Sequence, residues 1–361
     1  MKKNKVIYIL GTKAQFIKCK DILLNLINKG VEILVVDTGQ HRELTKKELD
    51  KSGLIYDYLE LSKNKNNIST IPGMIKWFLN ILFSAKKYSA LDQISYAMIH
   101  GDTMSTLIGL IFCKKNKVKS IHLESGYKSN NIFKPFPEEI IRNIVSRYSN
   151  ILVVDGPNQF DNIKKFSNKK DIIQISRNTI YDSVSDYIGT NKNSSSSTLT
   201  VTVHRTENVY SKKQLKLLIQ LLHNIKNKYN FEEVQWFCHD VTHNVLTKNE
   251  MLKEIESKGI VLMELVPHDE FIKKLIESKL IITDGGSISE ECSVLGLNTI
   301  IWRDVVENTN YLNENVILSN YDFEKIYKFI DDLPKRRSNL DIQRSPSEEL
   351  VNLLIPYIES Q

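Results

Sequence analysis

Residues 280–295 read LIITDGGSISEECSVL. Leu280–Thr283 is an apolar, β-favouring run, broken at Asp284-Gly285-Gly286-Ser287 and followed by a helix-compatible segment carrying Glu290 and Glu291. Two adjacent glycines allow dihedrals and close backbone approach that a Cβ forbids. Ser287 is expected to cap the helix, with Glu290 three residues on completing a capping box. Unpaired amides at such a helix start suit a phosphate or diphosphate. Glu291, one turn in, is then placed to accept from ribose hydroxyls. The same letters also fit an ordinary strand–turn–helix connection whose glycines serve packing alone, so the flanking sequence has to decide.

Outward from this stretch the chain keeps one rhythm. Strands are expected at 199–203, 234–238, 260–263 and 298–302, separated by helices that start near 212, run to about 258, and start again at 268. The first half behaves alike. Strands at Lys5–Leu10, Glu32–Asp37, 56–61, Tyr96–His100, 118–123 and Ile151–Val154 alternate with helices at 14–29, 44–51, 71–88, 103–115 and Glu138–Tyr148. Alternation of this kind implies parallel sheets with helices on both faces. Between 187 and 197 the pattern stops, and Gly189-Thr190-Asn191-Lys192-Asn193 with four serines after it reads as a flexible linker. The expected fold is α/β, with two Rossmann-like, doubly wound parallel-sheet domains spanning 1–188 and 198–361. The last helix is expected to pack back on the first domain.

Composition narrows the class. The 361 residues are 41% hydrophobic and 25% charged, as in a globular protein. Lys and Arg number 49 against 43 acids. The bases are scattered, which fits a small anionic ligand better than nucleic acid. Cys19, Cys113, Cys238 and Cys292 are far apart with no CxxC, so neither a zinc site nor a disulfide framework is expected. The apolar run after the basic start is only about six residues and reads as a first strand rather than a signal peptide. The apolar stretch 74–85 is interrupted by Lys76 and too short to span a bilayer. A cytoplasmic enzyme is expected. Met74, Trp77, Phe78, Ile81 and Leu82 fall at helical spacing, as a core face or a partner or membrane surface would.

Unusual residues collect in the polar loops that follow strands, where open parallel sheets bind ligands. They are Lys13, Gln15 and Lys18 after the first strand, and Gln40, His41 and Arg42 after the second. His100 and Asp102 follow the third of these loops' strands, His122 and Glu124 the next, and Glu138, Glu139 and Arg142 open a helix. In the second half His204, Arg205 and Glu207 follow one strand, His239 another, and Gly285, Gly286, Ser287 and Glu291 the 280–283 strand. Each has an ordinary reading too. Asp102 or Thr103 suits a helix cap, and Glu138 and Glu139 sit where a helix dipole favours acids. Together they share one edge of each sheet, and are expected to converge in one interdomain cleft.

At this point the sequence resembles the UDP-N-acetylglucosamine 2-epimerases, which share the GT-B architecture of many nucleotide-sugar glycosyltransferases. The resemblance rests on GTKAQFIK (11–18), DTGQHREL (37–44), HGDT (100–103), HLESG (122–126), PFPEEIIRN (135–143), RNTIYD (177–182), VHRTEN (203–208), TDGGSISEE (283–291) and WRDVVEN (302–308). It implies UDP held mainly by the second domain. By motif position it gives Asp102, Glu124, Glu138 and His204, with Lys18, catalytic or substrate-contacting roles. Lys13, Gln40, His41, Arg142, Arg205, Glu207, His239, Gly285, Gly286, Ser287 and Glu291 are the expected binding residues. The resemblance further implies a UDP-sugar substrate, a homodimer, and a place in surface polysaccharide precursor synthesis. No metal or redox cofactor is called for, and no Asp-x-Asp motif is present. The chain departs from the family's first loop, GTRPE, by Lys13, Ala14 and Gln15. Where the family has alanine-glycine-leucine-arginine after its glutamate, this chain has Ser125-Gly126-Tyr127-Lys128. The family's serine-glycine-glycine turn is Gly285-Gly286-Ser287 here.

The C2 proton of UDP-GlcNAc is not next to a carbonyl, so the expected route is anti elimination of UDP to a 2-acetamidoglucal and re-addition on the other face. That route needs a carboxylate base and cations to hold the departing diphosphate. Three alternatives use the same parts. Water capture of the intermediate gives the hydrolysing variant, which releases ManNAc and UDP. A GT-B glycosyltransferase would pass the sugar to an acceptor, with Lys76, Lys86 and Lys87 at a membrane surface. A nucleotide-sugar sensor would bind without turnover.

Overall fold

The computed structural model describes residues 4–63, 68, 71–84, 88, 91, 94–129, 137–189, 196–335 and 345–360. The chain divides into two compact units, the first made of Met1–Ser183 with Ile342–Gln361 and the second of Val184–Asp341. In chain order the first unit contains β1 (Lys5–Leu10), α1 (Lys13–Asn28), β2 (Glu32–Asp37), α2 (Arg42–Lys51), β3 (Asp57–Glu60), α3 (Ile71–Ser84) and β4 (Tyr96–His100). It continues with α4 (Met104–Asn116), β5 (Lys119–Leu123), α5 (Glu138–Tyr148), β6 (Ile151–Val154), α6 (Pro157–Ile163) and β7 (Asp171–Gln174), and α7 (Ile180–Val184) runs to the boundary. The second unit has β8 (Thr198–Thr202), α8 (Thr206–Val209), α9 (Lys212–Lys228), β9 (Glu233–Phe237), α10 (Asp240–Lys248) and α11 (Leu252–Ser257). After these come β10 (Ile260–Met263), α12 (His268–Glu277), β11 (Leu280–Thr283), α13 (Ser287–Leu295), β12 (Thr299–Ile301), β13 (Val316–Leu318) and α14 (Phe323–Asp331). The chain then returns to the first unit as α15 (Pro346–Glu359).

The strand order is β3-β2-β1-β4-β5-β6-β7 in one sheet and β10-β9-β8-β11-β12-β13 in the other. Neighbours pair in parallel, as β1 does with β2 and β4, and β11 with β8 and β12. The period-two alternation of a strand explains how both faces of the first sheet are buried. Val6, Tyr8 and Leu10 of β1 enter one core with Phe16, Ile22 and Leu26 of α1 and Leu350, Val351, Leu354 and Ile358 of α15. Ile7 and Ile9, on the other face, pack with Leu110 and Phe112 of α4 and Ile141 and Val145 of α5. The second sheet repeats the device: Leu280 and Ile282 join the α9 core, while Ile281 joins Ile272, Leu275 and Cys292.

Val184, with Tyr187 and Ile188 against it, packs into the second unit's core. Most of the serine-rich stretch, 190–195, lies outside the described residues. The single helix expected to run to about 258 is instead two, because Glu250 takes a left-handed φ of 58° between α10 and α11. The apolar face of α3 turns inward: Trp77 and Ile81 are buried against Ile108, and the Trp77 indole donates to the Thr38 carbonyl at 2.8 Å. Ile75 and Leu79 on the same helix are exposed. Lys86 and Lys87 lie outside the described residues, and no described helix is long and apolar enough to cross a membrane.

Each sheet reverses its order once, between β1 and β4 and between β8 and β11. Ligands of open α/β sheets sit off the carboxyl ends of strands at such a reversal. The loops after these four strands are therefore the places to look.

Candidate functional site

In the first unit, the loop after β1 is closed by an amide. Thr12 caps α1, accepting from the Gln15 amide, and Gln15 Oε1 accepts from the Thr12 amide at 3.0 Å. Gln15 Nε2 then donates to the His100 carbonyl at 2.6 Å and to the hydroxyls of Thr103 and Thr106. A carboxylate, an acceptor only, could not make the bond to that carbonyl. The glutamine therefore fits its partners where the family's glutamate would not. Lys13 reaches across to Glu48 of α2, 3.0 Å away. Gln40 is buried and accepts from the Ser105 hydroxyl at 2.6 Å, and half-buried His41 is the residue before α2. Asp37 accepts from the Gly39 amide and the Arg42 guanidinium, which shapes the loop that carries both.

Thr103 caps α4 with Thr106 as its capping-box partner, so Asp102 is not consumed as a cap. Asp102 instead accepts from the Arg142 guanidinium. The other end of that guanidinium donates to Glu139 at 2.6 Å, and Glu139 also accepts from the Ser129 amide and hydroxyl. Glu138, half-buried in the first turn of α5, precedes this pair. Pro135 and Phe136 lie outside the described residues. Thr103→Ala is expected to cost about 1 kcal/mol in urea unfolding, the usual worth of an N-cap; an unchanged midpoint would place the cap elsewhere.

Glu124, one residue past β5, adopts a left-handed φ of 59°. A non-glycine residue there carries backbone strain, which folds tolerate chiefly at functional positions. Its carboxylate accepts from the Lys18 ammonium of α1 and from Asn178 Nδ2 at 2.7 Å, and His100 Nε2 stands 3.8 Å from its second oxygen. Burial pushes this carboxyl up, but Lys18, His100 and the bonds from Lys18 and Asn178 more than offset that and hold it below the usual carboxylate range. His100 is itself lowered, by burial first, against the opposing charges of Glu124 and Asp102. His122 Nε2 donates to the Gly101 carbonyl at 2.7 Å, its Nδ1 lies 2.8 Å from the Ser125 hydroxyl, and burial brings it down to about 4. Gly126 (φ 86°) has no substitute, since a Cβ there would stand 2.2 Å from the Gln159 carbonyl.

In the second unit, Gly285 and Gly286 take φ values of 96° and 75°. Gly286 is the N-cap of α13 and Ser287 its first helical residue, with no side-chain capping bond. The capping box expected between Ser287 and Glu290 is therefore absent. The second glycine's positive φ has already turned the chain, and Glu290 instead accepts from Asn308 at 3.4 Å. Asp284, fully buried, accepts from the His204 and Arg205 amides at 2.8 and 2.6 Å, which ties the loop after β8 to the turn after β11. His204 is exposed, and its ring lies 6.1 Å from that of His239, the residue before α10.

Two guanidiniums flank the glycine turn. A Cβ on Gly286 would lie 3.9 Å from Arg205 Nη2, and one on Gly285 would lie 3.8 Å from Arg303 Nη1. Arg303 is 1% exposed and forks onto Glu307 with two bonds of 3.1 Å, while its Nε faces exposed Glu207 at 3.2 Å. Burial pushes Glu307 up, yet Arg205 and Arg303 hold it at about 2. Glu291 is buried. One of its oxygens receives His268 Nε2 at 2.8 Å, and the other, Oε2, accepts no hydrogen bond from the described residues. Two cations beside a positive-φ turn at a helix N-terminus are groups that can hold an anion.

Sequence reading named Glu139 and Asp284 without giving them a site role, and passed over Asn178, Asp155, His268, Arg303 and Glu307 as individual residues. Arg303 and Glu307 lie within a motif already singled out (302–308), and an Arg–Glu pair four apart there was the available signal. Among the described residues no cluster of three or more His, Cys, Asp or Glu side chains is arranged to hold a metal ion.

Comparison with known proteins bears on the fold and the family. A family model described as UDP-N-acetylglucosamine 2-epimerase matches residues 26–348. A UDP-N-acetylglucosamine 2-epimerase of Bacillus subtilis is 26% identical over 349 residues, covering 92% of this chain and 88% of its own. One of Methanocaldococcus jannaschii is 24% identical, covering 93% of each. The crystal structure of a Methanocaldococcus jannaschii UDP-GlcNAc 2-epimerase in complex with UDP-GlcNAc and UDP superposes with a TM-score of 0.82 at 23% identity, over 98% of this chain and 99% of that one. A Neisseria meningitidis UDP-GlcNAc 2-epimerase bound to UDP-GlcNAc gives 0.79 at 20% identity, over 99% and 100%. This chain belongs to the UDP-N-acetylglucosamine 2-epimerase family.

Proposed function

We propose that this chain inverts C2 of a UDP-activated N-acetylhexosamine by eliminating UDP and adding it back. The observation that carries the reading is the pair of cation-held carboxylates at one sheet edge. Glu124 is bonded to Lys18, Asp102 to Arg142, and His100 ends the strand before Asp102 with its ring near Glu124. Inversion through a planar C2 needs one group to take the proton on one face and another to return a proton on the opposite face. Glu124 is assigned as the base toward the gluco substrate, and Asp102, after taking a proton from solvent, as the donor on the other face, while the proton taken by Glu124 returns to solvent. In the forward step the C2–H electrons form the C1–C2 double bond, the C1–O bond breaks, and its electron pair leaves with UDP. Re-addition reverses these events with the proton delivered to the opposite face.

The second unit carries groups suited to a leaving diphosphate. Arg205, Arg303 and the first amides of α13 offset developing diphosphate charge, the preorganised stabilisation that such a step requires. Glu291 Oε2 is a buried acceptor suited to a ribose hydroxyl. Family relatives named as UDP-N-acetylglucosamine 2-epimerases, and relatives holding UDP-GlcNAc, support this substrate class.

Incubating the protein with UDP-GlcNAc in D2O and following proton NMR tests the proposal. Deuterium at C2 with a manno-configured UDP-sugar is the expected result. Free ManNAc and UDP would move the chain to hydrolysing chemistry. No exchange, with UDP released only when an acceptor is added, would overturn the epimerase reading in favour of transfer.

A further inference from the structure

Asp155 follows the last residue of β6, the strand between β5 and β7. Its carboxylate therefore lies between the loop after β5, which carries Glu124 and Tyr127, and the loop after β7, which carries Asn178. The carboxylate is 8% exposed, and its partners there are neutral: the Tyr127 hydroxyl donates to Oδ2, and Asn178 Nδ2 donates to the same oxygen at 2.6 Å. Oδ1 is buried and accepts no hydrogen bond from the described residues. Asn178 is fixed in turn, since its Oδ1 accepts from the Ile180 amide at 2.9 Å, which points Nδ2 at the acids. That one NH2 group also donates to Glu124 at 2.7 Å and lies 3.1 Å from the Tyr127 oxygen. An amide with two hydrogens is thus divided between two carboxylates. Asp155, Glu124, Asn178 and His100 line one small cavity, closed on its apolar side by Ile22 and Leu350.

We propose that Asp155 is a positioning residue for the elimination step: through the Asn178 amide it shares with Glu124 it fixes the Glu124 carboxylate, and its charge sets how strongly Glu124 binds a proton. The inference rests on Glu124 as the base. Tyr127 belongs to the same device. Where the family carries leucine, this chain has a hydroxyl that reaches Asp155.

The charges facing Asp155 come from each element around it. They are Lys18 of α1, His100 at the end of β4, lowered by burial, and Glu124 and Tyr127 after β5; α15 contributes only the apolar Leu350. Burial, and then the charge of Glu124, push Asp155 up to about 6, against the bonds from Tyr127 and Asn178. Ionised Asp155 opposes Lys18 and keeps Glu124 a competent base, whereas protonated Asp155 withdraws that support. Turnover is expected to fall as pH drops through about 6.

The test measures C2 deuterium exchange from UDP-GlcNAc across pH for the wild type, Asp155→Asn and Tyr127→Phe, together with the Asn178 side-chain amide by NMR. Asp155→Asn is expected to lower kcat above the acid limb by about three- to tenfold with KM unchanged, to lose the limb, and to converge with the wild type in acid. Tyr127→Phe, which removes a donor to the ionised form, is expected to move the limb to higher pH. An unshifted limb in both variants overturns the proposal while leaving the base assignment intact. Absence of exchange in the wild type defeats the elimination reading instead. In that case the amide decides the link between the two acids: an Asn178 signal that titrates alike in wild type and Asp155→Asn removes it.

Discussion

Glu124→Gln is expected to lower kcat for epimerisation by about 10²–10⁴-fold, the contribution of a positioned general base, while calorimetric UDP affinity stays near the wild-type value. Glutamine keeps the shape of the side chain and the left-handed backbone at φ 59°, so the loss reports charge and proton affinity rather than a rebuilt turn. Lys18 and Asn178 would face an amide in place of a carboxylate. Circular dichroism and thermal unfolding separate that local change from loss of fold. The affinity is expected to persist because the groups proposed to hold the diphosphate, Arg205, Arg303 and the turn at Gly285-Gly286, belong to the second unit. C2 exchange at the wild-type rate in the folded variant would remove Glu124 from the mechanism.

Arg303→Met is expected to cost about 3–5 kcal/mol of stability at neutral pH, the usual consequence of breaking a buried ion pair from one side. Methionine replaces the bulk but leaves Glu307 with Arg205, 3.6 Å away, as its remaining cation. The pH dependence follows from linkage. In the wild type Glu307 is depressed from 4.5 to about 2, so its contribution is fully present above the unfolded value and is lost as pH falls through about 2. Without Arg303 the burial that pushes Glu307 up meets less opposition, and the variant gains on the wild type as acid protonates the carboxyl. Urea midpoints at neutral and acid pH measure both effects. Equal midpoints at neutral pH would show that the pair is not structural, and a penalty that grows in acid would reverse the sign argued here.

The alternation of strands and helices was legible because buried parallel strands are nearly continuous apolar runs, such as VIYIL and ILVV, and their loops are polar. The strand ends named the sheet edge as well. What sequence could not convey was pairing across that edge. Nothing local distinguishes Glu138 from Glu139, both one turn from Arg142, yet the structure buries Glu139 with the Arg142 guanidinium on it and leaves Glu138 half-buried. Asp155 at a strand end reads as an ordinary surface acid until β6 is known to lie between β5 and β7. The cap at Ser287 misled for a backbone reason: with two positive-φ glycines ahead of it, the turn is complete before the serine is reached. Glu250, which splits a helix in two, carries no signal of its left-handed φ in its side chain.

The return of α15 to the first unit has a consequence for synthesis. Leu350, Val351, Leu354 and Ile358 complete the core that begins with Val6 and Tyr8. A ribosome moving at about 5–20 residues per second leaves that apolar surface of α1 and β1 uncovered for roughly ten to thirty seconds while Val184–Asp341 is made. During that interval the first unit lacks part of its apolar core, which is complete only once α15 has docked.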